Sequence, residues 1–282
     1  MKHEKAIAVV VTYNRKNWLL KNIEALLVQS RPLDEIVIVD NASTDGTYEF
    51  VKGLVDANKC IKYYTLPENT GGSGGFSWGV EKAYKHGADY IWGMDDDAIP
   101  MSDALECLIE VSSKMDKPTA LWSNCDKKMM QSEIMEVKTW MFVGFFLSRE
   151  IVSNVGFPRN DYFIYWDDHE YALRIRKAGY QIFKVRDSII EHQDAVKNYY
   201  PEIRFGPIHM NMFKMADWRV YYYVRNYILT YHWNEIKKYA VVFVEIPKIF
   251  IKALVFKTGQ GKFVLKGLKD GLMNKTGKRM SP

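Results

Sequence analysis

The chain has 282 residues, a length that suits one large domain or two modest ones and can bury a substantial core. Its hydrophobic content of 48% and charged content of 26% are ordinary for a globular protein. The three cysteines are scattered and form no CxxC pair, which argues against a disulfide framework and a structural zinc site and favours a reducing compartment. No stretch reaches the roughly 18 uncharged apolar residues that a membrane span needs.

Apolar, β-branched runs alternate with helical patterns along the first part of the chain. The first run predicts a strand rather than a signal peptide, because no small-residue cleavage pattern follows it. In order, the patterns predict strand 6–12, helix 16–29, strand 35–40, helix 48–57, strand 62–66, loop 67–75, helix 76–86 and strand 90–94. This alternation predicts an α/β fold with a mostly parallel sheet flanked by helices on both faces.

The last of these strands ends in three consecutive carboxylates, Asp95, Asp96 and Asp97. In open α/β sheets, ligands bind at the carboxyl ends of the strands. Side chains alternate along an extended segment, so Asp95 and Asp97 can point together while Asp96 points away. Such a pair suits a hard divalent cation that keeps open positions for phosphate oxygens. A solvated acidic turn is the alternative interpretation.

A glycine-rich stretch, PENTGGSGG at residues 67–75, precedes the acidic strand. It is neither a Walker A loop nor a GxGxxG motif, and no glycine loop follows the first strand, where a dinucleotide fold would need one. Two interpretations stay open. The stretch is either a flexible loop before a helix or a place where the backbone approaches a bound sugar or phosphate closely.

Two further carboxylates, Asp167 and Asp168, open a predicted helix after a predicted strand at residues 140–147. They are either helix caps or a candidate general base that takes a proton from a reacting hydroxyl. Trp166 beside them offers a flat apolar face. Further on, His192 is either an ordinary core histidine or a nitrogen ligand that completes the metal site.

Four motifs occur in one order along the chain: VTYNR at 11–15, IVIVDNASTD at 36–45, ENTGGSGGF at 68–76 and MDDD at 94–97. Together they resemble the GT-A fold of family 2 glycosyltransferases over roughly the first two thirds of the chain. The resemblance implies that Asp95 and Asp97 hold Mn²⁺ or Mg²⁺ on the donor diphosphate, whose charge the cation offsets as it leaves. It implies a nucleotide-sugar site made by Thr12, Arg15, Asp40, Asn69, Gly74, Gly75 and Asp96.

The acidic triplet, the WDD motif at 166–168 and the downstream histidine together resemble galactofuranosyltransferases more closely than family 2 in general. By that resemblance Asp168 is the base, Asp167 and Trp166 bind the acceptor, and His192 is the third metal ligand. The implied reaction moves galactofuranose from its UDP form onto a lipid-linked or growing surface glycan. A rhamnosyltransferase using a dTDP sugar, a nucleotidyltransferase and a non-enzymatic anion- or membrane-binding protein are the alternatives.

The C-terminal part is aromatic and then basic. Residues 198–215 are predicted as an irregular loop, and residues 218–233 as a helix whose tyrosines pack in a core rather than on nucleic acid. From residue 237 onward, ten lysines and one arginine face two acids, a net +9 that leaves −4 for the rest. We therefore expect a catalytic domain at 1–215 and a helical basic region at 216–282. This region would attach the protein peripherally to the inner, cytoplasmic face of an anionic membrane.

Overall fold

A computed structural model describes residues 3–126, 129–192, 199–205, 208–232 and 234–281. The chain forms two compact units. The first comprises Met1–Asn160 and Asp168–Asp194, and the second comprises Asp161–Asp167 and Ala195–Pro282. The border predicted after residue 215 lies inside the second unit, and the functional division at that border stays a prediction.

One sheet forms the centre of the first unit. Its strands are β1 (Ala6–Thr12), β2 (Glu35–Asp40), β3 (Ile61–Thr65), β4 (Tyr90–Asp95), β5 (Ala98–Pro100), β6 (Ala120–Asn124), β7 (Ile134–Glu136), β8 (Phe145–Ser148) and β9 (Ile182–His192). The strand order is β3-β2-β1-β4-β8-β6-β9-β5, with β7 paired to β9. Strands β3, β2, β1 and β4 are parallel to one another, and β8 is antiparallel to both of its neighbours. Most paired residues lie in parallel ladders, so the predicted α/β fold is confirmed.

Helices separate most of these strands along the chain: α1 (Lys16–Leu27), α2 (Thr47–Ala57), α3 (Gly71–Lys85), α4 (Ala104–Ser113), α5 (Arg149–Val155) and α6 (Asp167–Lys177). Every residue of β1 and β2 is buried, as expected for parallel strands covered on both faces. These two strands and their neighbours place polar side chains at one edge of the sheet, where each strand ends.

The glycine-rich stretch belongs to a helix and is not a loop up to residue 75. Helix α3 begins at Gly71, five residues before the predicted start at Phe76. A Cβ atom added at Gly75 would lie 2.6 Å from Val11 Cγ1, and one added at Gly79 would lie 2.4 Å from Val9 Cγ1. Gly75 and Gly79 therefore allow the helix to approach β1 closely.

The strand predicted at 140–147 is shorter in the structure, where β8 starts at Phe145. Gly144 has a φ of 78°, so the backbone leaves the extended conformation before the strand. Trp140 and Phe142 are only 2% and 5% exposed. Their ring centroids lie 5.8 Å and 4.8 Å from that of Phe145. The first half of the apolar run is thus an aromatic core segment outside the sheet.

The second unit contains a hairpin of β10 (Ile203–Phe205) and β11 (Ile208–Met210), and the helices α7 (Asp217–Thr230), α8 (Glu235–Ala240), α9 (Ile246–Val255) and α10 (Gly261–Leu272). The hairpin corrects the irregular loop predicted for 198–215, of which residues 198, 206 and 207 lie outside the described residues. The predicted helix end at Trp233 also lies outside them, and α7 ends at Thr230.

Helix α10 packs closely on α7, a contact that the predicted helical basic region at 216–282 did not specify. A Cβ atom added at Gly267 would lie 2.7 Å from the carbonyl oxygen of Tyr221, and one at Gly271 would lie 3.0 Å from that of Arg225. The basic residues are therefore carried by an ordered helix. Across the described ranges, no helix combines the length and the apolar character needed to cross a membrane.

Candidate active site

Three possible metal ligands lie together at the carboxyl end of β4. Asp95 is the last residue of that strand and Asp97 follows shortly after it. Strand β5 pairs with the end of β9 so that Ala98 lies opposite His192, which brings the imidazole beside Asp97. One ligand atom from each of Asp95, Asp97 and His192 lies within 4.8 Å of the others.

Asp96 faces a different set of partners. Strands β1 and β4 pair with Val11 opposite Asp95, so Thr12 lies beside Asp96. The Asp96 carboxylate accepts hydrogen bonds from Thr12 Oγ1 at 2.7 Å and from Arg15 Nη1 at 3.2 Å. Burial raises the pKa of Asp96 to about 6, against the opposing effect of the Thr12 hydrogen bond and the Arg15 charge. Asp96 therefore points toward Thr12 of β1, whereas Asp95 and Asp97 belong to the cluster with His192.

Arg15 also contacts Asp97, where its Nη1 donates to Oδ2 at 2.7 Å. Without a cation, burial alone would raise the pKa of Asp97, but a proton-donating His192 and the Arg15 guanidinium hold it below its ordinary value. Burial would likewise lower the pKa of Arg15, and the charges and hydrogen bonds of Asp96 and Asp97 raise it instead. One guanidinium therefore offsets part of the repulsion among the three acids.

The donor atoms of the cluster fit a divalent cation. Oδ1 of Asp97 is buried and accepts no hydrogen bond from the described residues, although His192 Nε2 lies 3.2 Å away. A cation between these atoms would satisfy both lone pairs. Carboxylate oxygens with one imidazole nitrogen suit Mn²⁺, whereas Mg²⁺ prefers oxygen ligands. The metal site predicted at Asp95, Asp97 and His192 stays a prediction with a geometry that suits it.

The loops that follow β1 and β2 are tied to each other. Asn14, at a φ of 55°, donates its N–H to Ser43 Oγ at 2.9 Å, and its Oδ1 accepts the N–H of Thr44 at 2.7 Å. Asp40 is 2% exposed and accepts hydrogen bonds from the Ser43 N–H at 2.8 Å and the Tyr63 hydroxyl at 2.7 Å. Burial and this carboxylate raise the pKa of Tyr63. Asp40 therefore holds the second loop in place.

Asn41 determines how α3 begins. Its Oδ1 accepts a hydrogen bond from Thr70 Oγ1 at 2.9 Å, and its Nδ2 donates to the carbonyl of Gly71 at 3.0 Å. Asn69, a predicted nucleotide ligand, accepts the N–H of Gly71 at 2.8 Å. Gly74 is buried, and a Cβ atom there would lie 2.3 Å from Thr70 Oγ1. These contacts shape the segment, and the predicted roles of Asn69, Gly74 and Gly75 in sugar binding stay predictions.

Asp168 lies in the first turn of α6, within the first unit. Its carbonyl accepts a hydrogen bond from Trp140 Nε1 at 3.1 Å, and its Oδ1 accepts the N–H of His169 at 2.6 Å. Burial raises the pKa of Asp168 to about 6, although the hydrogen bond from His169 opposes this. A carboxylate with this pKa is mostly ionised at neutral pH and accepts a proton more readily than an ordinary aspartate.

The residues just before Asp168 belong to the second unit. Asp167 is 7% exposed and ends the segment that the second unit takes from this part of the chain. The indole of Trp166 stacks on Tyr227, with ring centroids 4.0 Å apart and planes 11° apart. One face of the indole is therefore covered by protein, so the predicted contact with a sugar ring would use the other face.

Sequence reasoning missed several polar side chains that shape these loops. Asn14 and Asn41 could have been recognised from the sequence, because asparagine after a strand favours turns and tolerates positive φ. No local sequence pattern indicates the roles of Tyr63 and Asn226. The first meets Asp40 through the order of the strands, and the second meets residues 162–165 only through tertiary packing.

The family model for glycosyl transferase family 2 matches residues 7–168, which is more than half of the chain. Galactofuranosyltransferase GlfT1 of Mycolicibacterium smegmatis is 29% identical over 208 residues, which cover 64% of this chain and 68% of the relative. Galactofuranosyltransferase GlfT1 of Mycobacterium tuberculosis is 28% identical over 233 residues, which cover 73% of this chain and 75% of the relative.

A solved structure gives an independent comparison of the fold. The mannosyltransferase PcManGT from Pyrobaculum calidifontis, in complex with GDP-Man and Mn²⁺, superposes with a TM-score of 0.62 at 14% identity. The match covers 97% of this chain and 88% of that chain. At this level of identity the likeness shows the fold alone, and it confirms the predicted GT-A type of α/β fold.

Proposed function

The chain belongs to glycosyl transferase family 2 and is a glycosyltransferase, and from this premise we propose that it is a metal-dependent inverting enzyme that uses a nucleotide sugar. The observation that carries the proposal is the cluster of Asp95, Asp97 and His192 at the carboxyl end of β4. Support for the donor class and for Mn²⁺ comes from the structural neighbour in complex with GDP-Man and Mn²⁺.

We assign the donor site to the polar ends of β1, β2 and β4. Asp95, Asp97 and His192 would hold Mn²⁺, or Mg²⁺ in its place, and the cation would supply positive charge to the leaving diphosphate. Arg15 lies beside this cluster and can share its charge between the acids and a phosphate oxygen. The remaining donor contacts are proposed for Thr12, Asp40, Asn69, Gly74, Gly75 and Asp96.

Asp168 is the proposed base. It would take the proton of the acceptor hydroxyl while that oxygen forms its bond to the anomeric carbon. The bond from this carbon to the diphosphate breaks in the same step, and the nucleoside diphosphate leaves with the electron pair. Attack from the face opposite the leaving group inverts the anomeric configuration, so no second carboxylate nucleophile is required. The raised pKa of Asp168, about 6, suits this role. Asp167 and Trp166 would bind the acceptor.

UDP-galactofuranose is the donor that we propose first. The support is the identity of 28–29% to two galactofuranosyltransferases over most of the chain. An identity of 28–29% supports the type of reaction more strongly than the identity of the donor sugar. The second candidate donor is therefore dTDP-rhamnose. The two donors differ in the base contacts and in the sugar hydroxyls that the site must satisfy, and release of UDP or dTDP distinguishes them.

A lipid-linked or growing surface glycan is the proposed acceptor. The second unit has an apolar cavity of about 390 Å³, and Tyr165, which directly precedes Trp166, is among the residues that line it. Other lining residues are mainly apolar, including Met212, Val220, Tyr223, Ile249 and Ala253. An acceptor with an apolar portion would gain binding free energy in such a cavity.

Peripheral attachment to the inner, cytoplasmic face of an anionic membrane is part of the same proposal. Apolar side chains are exposed near the basic helices of the second unit: Phe243 is 70%, Ile251 52% and Leu254 60% exposed. Exposed lysines, among them Lys248 and Lys262, accompany them. Apolar and basic side chains together favour an anionic lipid surface.

A donor panel tests the proposal. Purified protein is incubated with Mn²⁺, an octyl glycoside acceptor and each of UDP-galactofuranose, dTDP-rhamnose, UDP-glucose and GDP-mannose, and nucleoside diphosphate release is measured. We expect acceptor-dependent release of UDP from UDP-galactofuranose and an inverted anomeric centre in the product. Release of dTDP alone would select the second donor. Pyrophosphate as the product, or full activity in excess chelator, would overturn the proposed chemistry.

A further inference from the structure

The segment that leads into Asp167 and Asp168 has an unusual backbone. Phe163, Tyr165 and Trp166 have φ angles of 68°, 66° and 69°. Bulky L-residues rarely adopt this region because Cβ crowds the backbone there. Three such residues within four positions persist only if the surrounding structure holds them.

The side-chain amide of Asn226 makes several of the hydrogen bonds that hold this segment. It is fully buried on α7, and its Nδ2 donates to three carbonyls of the segment: those of Tyr162 at 2.9 Å, Ile164 at 2.8 Å and Tyr165 at 3.0 Å. An amide nitrogen has two protons, so the three acceptors share them. One side chain thus holds three carbonyls of the segment close to one another.

Arg225, also fully buried, holds Asn226 in that orientation. Its Nε donates to Asn226 Oδ1 at 2.8 Å, which fixes which end of the amide carries the donors. Its Nη2 donates to the Tyr162 carbonyl at 2.8 Å, and its Nη1 donates to the Gly277 carbonyl at 2.6 Å. The stacking of Trp166 on Tyr227 adds a contact from the next residue of the same helix.

We propose that Asn226 is a positioning residue for sugar transfer, which acts by holding residues 162–166 in the conformation that orients Trp166 and Asp167. The inference rests on the proposed function, because these two residues are the proposed acceptor contacts. A segment that served only as a connection would not need three bulky residues at positive φ. The strained backbone costs free energy, and such a cost is retained where the direction of the following side chains matters for function.

Asn226→Asp is the most informative variant. It keeps Oδ1 for Arg225 and nearly keeps the side-chain volume, but it replaces the donors to three carbonyls by a second acceptor oxygen. Arg225 partly compensates the added charge. Asn226→Leu is a second variant of similar size that carries neither donor nor charge. The matched control is Thr230→Val, which lies one turn further along α7 and donates a hydrogen bond to the Tyr162 hydroxyl at 3.4 Å rather than to a carbonyl of the segment.

Three measurements are made on the full chain below its thermal unfolding transition: hydrogen exchange of residues 161–168 by mass spectrometry, Mn²⁺-dependent UDP binding by calorimetry, and kcat and KM with an octyl glycoside acceptor. For Asn226→Asp and Asn226→Leu we expect faster exchange in this segment, UDP affinity within about twofold of the unchanged protein, and kcat lower by about 100-fold, the scale of an ångström-sized misplacement. Thr230→Val should retain exchange, affinity and kcat.

Faster exchange with an unchanged kcat would overturn the proposal, because the segment would then be free to relax without effect on transfer. Loss of kcat with unchanged exchange would overturn it too, since Asn226 would act by another route. If the unchanged protein transfers no sugar with any donor while the exchange results hold, the proposed function fails and the structural role of Asn226 stands. The two failures are therefore distinguishable.

Discussion

His192 Nε2 lies 3.2 Å from Asp97 Oδ1, although one residue ends β9 and the other follows β4. Two atoms that both carry lone pairs approach this closely when a proton or a cation lies between them. The antiparallel pairing of β5 with β9 creates the approach, because it sets Ala98 opposite His192. The relationship links the acidic triplet to a residue far along the chain and defines the proposed metal site.

The first prediction concerns this site. Asp97→Ala and His192→Ala should each weaken Mn²⁺-dependent UDP binding by at least about tenfold, because each removes one protein ligand from the cation. Calorimetric titration of UDP at several Mn²⁺ concentrations measures the effect. Asp187→Ala, an exposed acidic position in the same unit, is the matched control and should behave as the unchanged protein. UDP binding that is unaffected by chelation would contradict the assignment.

The second prediction concerns Arg15. Arg15→Gln removes the charge that faces Asp96 and Asp97, so the metal-free protein should lose stability by roughly 1–2 kcal/mol. This is less than for a fully buried pair, because the Arg15 side chain is 36% exposed. Saturating Mn²⁺ should recover most of the loss, since the cation supplies the missing charge. Thermal unfolding with and without Mn²⁺ measures both quantities, and equal destabilisation in the two conditions would show that Arg15 acts through packing.

The third prediction concerns the base. Asp168→Asn keeps the shape of the side chain and removes its capacity to accept a proton. We expect UDP binding to stay within about twofold and kcat to fall by two to four orders of magnitude, roughly the scale of general base catalysis. If Asp167→Asn is the inactive variant and Asp168→Asn is active, the roles within the pair are reversed. Steady-state kinetics of both variants decides between these outcomes.

The fourth prediction is the pH dependence that follows from the same carboxylate. Burial raises the pKa of Asp168 to about 6, so the base is protonated and inactive below that pH. The transfer rate should therefore rise with pH through about 6 and level off near 7. A rate profile measured between pH 4.5 and 8 at saturating Mn²⁺ checks this. A rate that is already maximal near pH 5 would mean that a group with an ordinary carboxyl pKa, or none, limits the step.

The fifth prediction concerns the basic helices. Removing the chain after Tyr239 would delete α10, which packs on α7, so charge substitution is the cleaner test. Replacing four exposed lysines by glutamine, at Lys248, Lys257, Lys262 and Lys269, should weaken binding to anionic vesicles at low salt. Each basic residue near an anionic leaflet contributes about 1 kcal/mol, so the affinity should fall by several orders of magnitude, less where salt screens the charges.

Cosedimentation with vesicles that contain phosphatidylserine measures this effect. The matched control replaces four exposed lysines of the first unit, at Lys21, Lys52, Lys59 and Lys62, and should bind as the unchanged protein does. Equal weakening by both sets would indicate non-specific attraction. Vesicle binding that neither set alters would place the membrane contact elsewhere, and no binding at all would remove the membrane from the proposed function.

The order of strands and helices in the first unit could be predicted from local patterns, since buried β-branched runs and helical periodicity are local properties. Two local errors share one physical cause. The glycines of α3 looked like a loop, and the aromatic run before Phe145 looked like one strand. In both cases packing between elements decided the structure: the glycines allow close contact with β1, and the aromatic rings fill the core.

For the candidate site, local sequence patterns predicted which residue types carry the chemistry, and tertiary packing set the distances between them. Carboxylates at the end of an apolar strand, and their alternation, were readable from residues 90–97. His192 was predicted as a metal ligand through the family resemblance, because no local pattern shows its approach to Asp97, which depends on which strands pair. The role of Asn226 was hidden for the same reason. Its Nδ2 reaches the carbonyls of residues 162–165 only when α7 packs against that segment. No local sequence pattern predicts a contact between segments so far apart in the chain.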